Sequence, residues 1–332
     1  MKNEELKMNN NVSLRKLGRS DLMVTPIGLG CWQFSKRKNM AGKFWPTLDD
    51  NLISQVVKAS LEGGINWFDT AEVYGNGASE KALAGTLVSH GIRPGEVLIA
   101  TKWWPMFRTA SNIPKTIHAR LDALKPFPID LYQVHQPFGF SSEVSEMKAM
   151  ARLVKEGKIR YTGVSNFPAK KLRNAWDTLR EQGILLVSNQ VRYSLLNRKI
   201  ESNGILETAK ELGTSIIAYS PLAQGILSGK FHDHPEMIRK ITGYRKYMGA
   251  FKPAAMEKSR PLILLVQELA GKYDVTPSQV ALNWLIHFHG EMVVAIPGAT
   301  TETHASENTG AMTFNLSEED MAALDKESNQ FK

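Results

Sequence analysis

The feature that most constrains this chain is a strict alternation of short apolar runs with amphipathic helical stretches, sustained over most of its length. Helical periodicity over residues 48–61, 79–88, 113–124, 144–155, 169–181, 205–212, 262–272 and 277–287 is interleaved with strand-like runs. These cover 65–69, 97–102, 129–135, 159–166, 185–191, 215–220 and 292–296. With a further strand over 24–30, eight strands are expected. Strands that alternate with helices need right-handed crossovers and a parallel sheet, and eight such units close into a barrel whose C-terminal rim carries the chemistry. The expected fold is therefore α/β, a single-domain (β/α)8 TIM barrel over residues 13–332 behind a flexible tail, 1–12. An open doubly wound sheet would want a glycine-rich dinucleotide loop after a strand. The run Gly28-Leu29-Gly30-Cys31-Trp32-Gln33 lacks the third glycine and leads into no helix pattern.

Two segments fall outside the alternation. The run Leu17-Gly18-Arg19-Ser20-Asp21-Leu22 reads as the turn of a small N-terminal β-hairpin cap. Residues 221–260, after the seventh strand, form a connection too long for an ordinary barrel loop, which makes a lid or clamp the expectation.

Composition narrows the setting. The formal charge of +8 would suit nucleic acid, an anionic membrane surface or a phosphate-bearing ligand. The cations are mostly dispersed among acids on helix faces, as in Lys170-Lys171-Leu172-Arg173, so neither nucleic acid nor membrane is an expected partner. Only the stretch from Arg239 and Lys240 to Arg245 and Lys246 is locally basic enough to hold an anion. Cys31 is the sole cysteine, which excludes an internal disulfide framework and a cysteine-rich zinc site; no metal site is expected. The start of the chain lacks the apolar core of a secretory signal, and no apolar run is long enough to span a membrane, so a cytoplasmic location is expected.

The chemistry is expected where strands end. Asp69 closes the run Ile65-Asn66-Trp67-Phe68, and Tyr74 follows in the loop; a helix-capping acid and a rim tyrosine explain this pair equally well when it is taken alone. Lys102 and His135 end the next two strand-like runs, and co-location at three consecutive strand ends favours an active site. A tyrosine hydroxyl has a reference pKa of about 10, and a neighbouring ammonium lowers it. A carboxylate paired to the lysine would keep it charged and oriented, and a histidine could steer a substrate oxygen. Trp32, Trp103, Trp104, Phe107, Phe138 and Phe140 are candidates for an aromatic pocket wall, which suits an apolar or aromatic carbonyl compound; generic rim packing would look similar.

From residue 14 to residue 324 the sequence resembles the aldo-keto reductase superfamily. The resemblance is carried by Asp69-Thr70-Ala71-Glu72-Val73-Tyr74-Gly75, Thr101-Lys102-Trp103 and Gln133-Val134-His135. It implies that Tyr74 is the general acid in carbonyl reduction, that Lys102 tunes it, that Asp69 pairs with Lys102, and that His135 orients the carbonyl. It implies NADPH, bound extended across the barrel mouth. Gly30, Cys31, Trp32 and Asp69 lie at its approach, Ser165, Asn166 and Gln190 match positions that bond the carboxamide, and Tyr219 matches the ring that stacks on the nicotinamide. The run after Tyr219, with Ser220, Leu222, Gln224, Gly225, Leu227, Gly229 and Lys230, resembles the family's pyrophosphate loop. Gly298, Thr300, His304, Glu307 and Asn308 resemble its adenine side. Thr300 and His304 depart from the pattern, since many relatives carry basic or amide side chains there, and Lys230, Arg245 or Lys246 would have to supply charge for the 2′-phosphate. NADPH with dual NADPH and NADH use as the fallback is the expectation. The implied activity is reduction of aldehydes and ketones to alcohols; a cofactor-sensing regulatory subunit, like the potassium-channel β subunits that resemble the same superfamily, is the alternative.

Overall fold

In the computed structural model, which describes residues 12–36, 48–241 and 247–332, the chain opens with the expected hairpin. Strand β1 (Arg15–Lys16) pairs antiparallel with β2 (Met23–Val24). The hairpin closes the floor of a barrel: Leu17 and Leu22 pack with Trp67, Leu131, Val187 and Ile217, all buried. Gly18, at φ +58°, lies so close that a Cβ there would meet the Val187 carbonyl oxygen at 2.5 Å. Residues 1–11 of the expected tail, and Arg245 and Lys246, lie outside the described residues.

The barrel follows in sequence order: β3 (Leu29–Gly30), α1 (Asp50–Glu62), β4 (Trp67–Asp69), α2 (Ala78–Ser89), β5 (Leu98–Trp103), α3 (Asn112–Leu124), β6 (Leu131–Val134) and α4 (Glu143–Lys155). It continues with β7 (Tyr161–Ser165), α5 (Ala169–Glu181), β8 (Leu186–Arg192), α6 (Ile205–Leu212), β9 (Ser215–Tyr219), the one-turn α7 (Lys230–Asp233), α8 (Pro253–Tyr273), α9 (Pro277–His287), β10 (Val293–Ala295), α10 (Glu302–Gly310) and α11 (Glu318–Ser328). Strands β3 to β10 are hydrogen-bonded in order and parallel. Bridges from Ile27 to Ala295 and from Gly30 to Gly298 join the last strand to the first and shut the ring.

Local chemistry sets the helix boundaries. Asp49 caps α1 by accepting from Leu52 N at 2.8 Å, and Thr276 and Gln279 form a reciprocal capping box ahead of Pro277 in α9. The strand expected over 24–30 is divided. Pro26 has no N–H to give to a ladder, so Val24 stays with the hairpin and the barrel strand starts at Leu29. Helix α8 starts at Pro253, nine residues before the expected 262, and runs through Pro261. Burial of Met256, Ser259, Leu262 and Ile263 along one face outweighs the hydrogen bond that the proline removes. The long connection after the seventh barrel strand is thus shorter than 221–260 and largely folded: His232 bonds Met256 O and Ser259 Oγ, and Phe231 meets Phe251 edge to face at 5.2 Å. It forms a packed wall beside the barrel mouth.

The C-terminal end is fastened by a buried arginine. Arg198, 0% exposed, bonds Glu201 through Nε at 2.7 Å and Nη2 at 2.6 Å, reaches Asp325 at 2.5 Å and Ser328 Oγ at 2.7 Å, and lies 4.9 Å from the Trp284 ring centroid. Burial works against the Glu201 carboxylate, but the nearby His289 and the bonds from Arg198 and Tyr193 more than offset it and hold its pKa well below the usual range. Arg198→Met is therefore expected to destabilise the fold by ~3–5 kcal/mol at pH 7, because Glu201 is left buried without its main partner. A depressed carboxylate contributes stability above its unfolded pKa, about 4.3, and loses it as pH falls through the folded value. Urea midpoints of parent and variant should differ most at neutral pH and converge in acid; a gap that is constant with pH would contradict this role for Glu201.

Candidate active site

The two-residue period of a strand decides which rim side chains face one another. On β5, Ala100 belongs to the barrel interior, whereas Ile99 and Trp103 belong to the outer core between sheet and helices. Lys102 therefore points inward, fully buried, and Trp103 points outward, where its Nε1 donates to Asn112 Oδ1 at 3.0 Å. Asp69 is the last residue of β4, and His135 is the first after β6. Tyr74 rides on a turn in which Gly75, Asn76 and Gly77 all have positive φ. A side chain at Gly75 would put its Cβ 1.9 Å from the Ser35 carbonyl oxygen, so the turn can approach the first strand's end only with glycine there.

The four groups converge. Lys102 Nζ donates to Asp69 Oδ1 at 2.5 Å and to Thr70 O at 2.9 Å. The other Asp69 oxygen accepts from Gln190 Nε2 at 2.9 Å and from Gln133 Nε2 at 3.2 Å, so the buried carboxylate is fully engaged. Lys102 Nζ lies 5.2 Å from the Tyr74 ring centroid, close enough for its charge to act on the phenol. Desolvation works against the ammonium, but Asp69 and Tyr74 outweigh it and the Lys102 pKa is raised. Lys102 stays charged. For Tyr74 the balance differs from the sequence expectation: desolvation raises the phenol pKa, and Lys102 offsets only part of that rise. Tyr74 is accordingly a protonated donor through neutral pH. The His135 ring meets Tyr74 edge to face at 5.8 Å; desolvation and then Lys102 hold its pKa well below the ordinary value, so it is neutral.

One cavity of about 840 Å³ runs from these groups to α10. At the near end it is lined by Gly30, Cys31, Trp32, Asp69, Tyr74, Trp104, His135, Ser165, Asn166, Gln190 and Tyr219. The Tyr219 hydroxyl donates to Asn166 Oδ1 at 2.9 Å and fixes the ring. Ser220, Leu222, Gln224, Gly225 and Lys230 line the middle, where left-handed φ at Ser220, Ala223, Gln224 and Gly225 curls the backbone into a shape suited to an oxyanion. Gly298, Thr300, His304, Glu307 and Asn308 line the far end. Leu227 and Gly229 do not line the cavity; Leu227 is core.

The expected aromatic wall is only partly present. Trp32 stacks on Tyr74 at 6.0 Å, and Trp104 meets His135 edge to face at 5.1 Å. Trp103 is not a pocket residue, because strand alternation turns it into the outer core. Phe107 and Phe140, 80% and 70% exposed, pair with each other at 6.1 Å on loops outside the cavity, and Phe138 reaches it only through Trp104, at 5.8 Å. Sequence reading missed Gln33, Val73, Gln136 and the start of α9, Thr276 to Ser278, all of which line the cavity. The Thr276-Pro277 helix start was visible as a boundary signal; that it abuts the cavity follows only from the barrel's closure.

Comparison with known proteins agrees with the barrel fold. A model of the aldo/keto reductase family matches residues 26–329. The chain is 31% identical over 323 residues to the chloroplastic pyridoxal reductase of Arabidopsis thaliana, covering 94% of this chain and 85% of that one. Among solved structures, the glycerol dehydrogenase of Gluconobacter oxydans superposes with a TM-score of 0.81 at 25% identity, covering 96% of both chains. An aldo-keto reductase from Klebsiella pneumoniae in complex with NADPH superposes with a TM-score of 0.73 at 25% identity, covering 95% of both.

Proposed function

The chain belongs to the aldo/keto reductase family, and from that premise we propose that it is an NADPH-dependent oxidoreductase that reduces an aldehyde or ketone to an alcohol, with Tyr74 as the proton donor. The observation that carries this reading is one cavity lined at one end by Asp69, Tyr74 and His135, with Lys102 buried behind Asp69, and at the other by Thr300, His304 and Asn308.

The cavity suits the cofactor on its own terms. Asn308 Nδ2, buried at the far end, has no partner among the described residues, and a base with acceptor nitrogens would satisfy it. The curled backbone from Ser220 to Gly225 suits a pyrophosphate, and Ser165, Asn166, Gln190 and Tyr219 form the wall for a nicotinamide. Bound there, NADPH would supply the hydride. Tyr74 gives its proton to the carbonyl oxygen; the Lys102 ammonium, held by Asp69, stabilises the phenolate that results. His135, neutral, orients the carbonyl without competing as an acid at neutral pH. Trp32 and Trp104 flank the reacting end, which suits a planar apolar or aromatic carbonyl compound. The pyridoxal reductase relative acts, by its name, on a compound of that type. A panel of aromatic and aliphatic aldehydes and ketones, run with NADPH and with NADH, tests the assignment; absence of turnover with every one of them would sink it.

The far end leads to a second expectation. Thr300 Oγ1 pairs with His304 Nδ1 at 3.1 Å, and desolvation together with Lys230 lowers the His304 pKa, so neither residue offers the 2′-phosphate a charge. Lys230, in the middle of the cavity but near enough for its charge to act on His304, is left as the main cation in the lining among the described residues. Thr300→Arg should add a charge-assisted bond worth roughly 1.5 to 3 kcal/mol to NADPH and nothing to NADH. Parallel kcat/KM values for both cofactors check it: an equal change for both would place the phosphate elsewhere.

A further inference from the structure

Glu72 stands between Asp69 and Tyr74 in the chain yet does not line the cavity. It is 5% exposed, and its carboxylate is divided between two parts of the active-site wall. Oε1 accepts from the Trp104 backbone N–H and from Arg108 Nη1, each at 2.5 Å; Oε2 accepts from Arg120 Nη1 at 3.0 Å. The Glu72 main chain is pinned as well, its N–H to Lys102 O at 3.2 Å and its carbonyl to Gly77 N at 2.8 Å.

The two arginines differ. Arg120, on α3, is buried and also lies in ion-pair contact with the buried Glu80, Nε to Oε2 at 3.0 Å, so it anchors Glu72 to the body of the barrel. Arg108 sits on the loop after β5, with a side chain 34% exposed. That loop carries Trp104, whose ring rests on His135, and passes through Phe107 at φ +58°, a conformation that a bulky residue adopts only when held. Two residues beyond Glu72 stands Tyr74, on a turn of three successive left-handed residues. One carboxylate therefore ties two segments together, one bearing the proton donor and the other the facing wall with its strained Phe107.

We propose that the Glu72–Arg108 pair, anchored through Arg120, is a positioning clasp that fixes the spacing between Tyr74 and Trp104 and so selects how a carbonyl substrate is presented to the donor. The inference deepens the reading of this site as a carbonyl reductase and rests on it for its kinetic arm. Arg108 is the half that can be released, since it is partly exposed and its loss leaves the Glu72–Arg120 anchor in place. A loop freed from the clasp moves Trp104 relative to Tyr74, and misplacement at a reacting centre is costly even when no catalytic group is lost.

The test compares Arg108→Ala, Arg108→Lys and Glu72→Gln with the parent full-length protein. Kinetics are run with an aromatic aldehyde, and NADPH affinity is measured by fluorescence titration. Arg108→Ala is expected to lower kcat/KM about tenfold or more, mainly through KM, with the NADPH dissociation constant within about twofold of the parent. Arg108→Lys should recover part of the loss. With Glu72→Gln as the second change, the double variant should lose less than the sum of the singles. A parallel arm does not depend on turnover: with 5-fluorotryptophan incorporated, the 19F resonance assigned through Trp104→Phe should shift or broaden in Arg108→Ala and return towards the parent in Arg108→Lys. Unchanged kcat/KM with an unchanged Trp104 resonance overturns the clasp. So does a loss of activity matched by a fall in NADPH affinity, since that is general loosening. If the parent itself turns over no carbonyl compound, the functional reading fails, and the Trp104 resonance alone decides the clasp.

Discussion

Tyr74→Phe is expected to lower kcat for carbonyl reduction by at least about a hundredfold while NADPH binds nearly as before, because one oxygen is removed and the ring is kept. Among the described residues at the near end of the cavity, the Tyr74 phenol is the one placed to act as a neutral-pH acid, since the Tyr219 hydroxyl is committed to Asn166. His135 is held neutral by desolvation, and Lys102 is committed to Asp69 and to the Thr70 carbonyl. The ring's packing on Trp32, and its contact with His135, survive the substitution, so a stability change beyond about 1 kcal/mol is not expected. The measurement is kcat with saturating NADPH and aldehyde together with the cofactor dissociation constant. A kcat within a few-fold of the parent would remove Tyr74 from the chemistry.

Lys102→Met should cost as much in turnover, for a different reason. The ammonium partly offsets the rise that desolvation imposes on the Tyr74 pKa, so its loss moves that pKa higher still and makes the phenol a poorer donor. In the direction of alcohol oxidation, where Tyr74 must first lose its proton, the ascending limb of the pH profile should move to higher pH in the variant. The single substitution also strands Asp69, buried, with only amide partners, a cost of several kcal/mol that could prevent folding. The double variant Asp69→Asn with Lys102→Met removes both charges and isolates the chemical effect. Its kcat should remain far below that of the parent; recovery would assign Lys102 a purely structural role.

The barrel was legible because most units repeat one pattern, an apolar run followed by an amphipathic helix, and the strict order leaves few topologies open. The rim residues were legible for the same reason, since strand ends locate the rim. What the pattern could not show was facing. Lys102 and Trp103 are neighbours in sequence, and only the register of β5 against β4 and β6 sends one into the cavity and the other into the outer core. Phe107 and Phe140 illustrate a second limit: apolar character in a loop does not say which side of the loop meets solvent. The sign of the Tyr74 shift was missed because a sequence names the neighbouring ammonium but not how completely the site is desolvated. Helices α10 and α11 were passed over although Thr301 and Ser317 are ordinary caps, because their apolar periodicity is weak.

Incubating the protein with a reactive aldehyde and NADPH carrying deuterium at the transferable nicotinamide C4 position tests the central claim most directly. The account predicts multiple turnovers and one deuterium on the carbinol carbon of the alcohol, with about a hundredth or less of that label when Tyr74→Phe is used at the same concentration and time. Tight NADPH binding with no labelled alcohol from the parent protein, across the aldehyde and ketone panel, would contradict it.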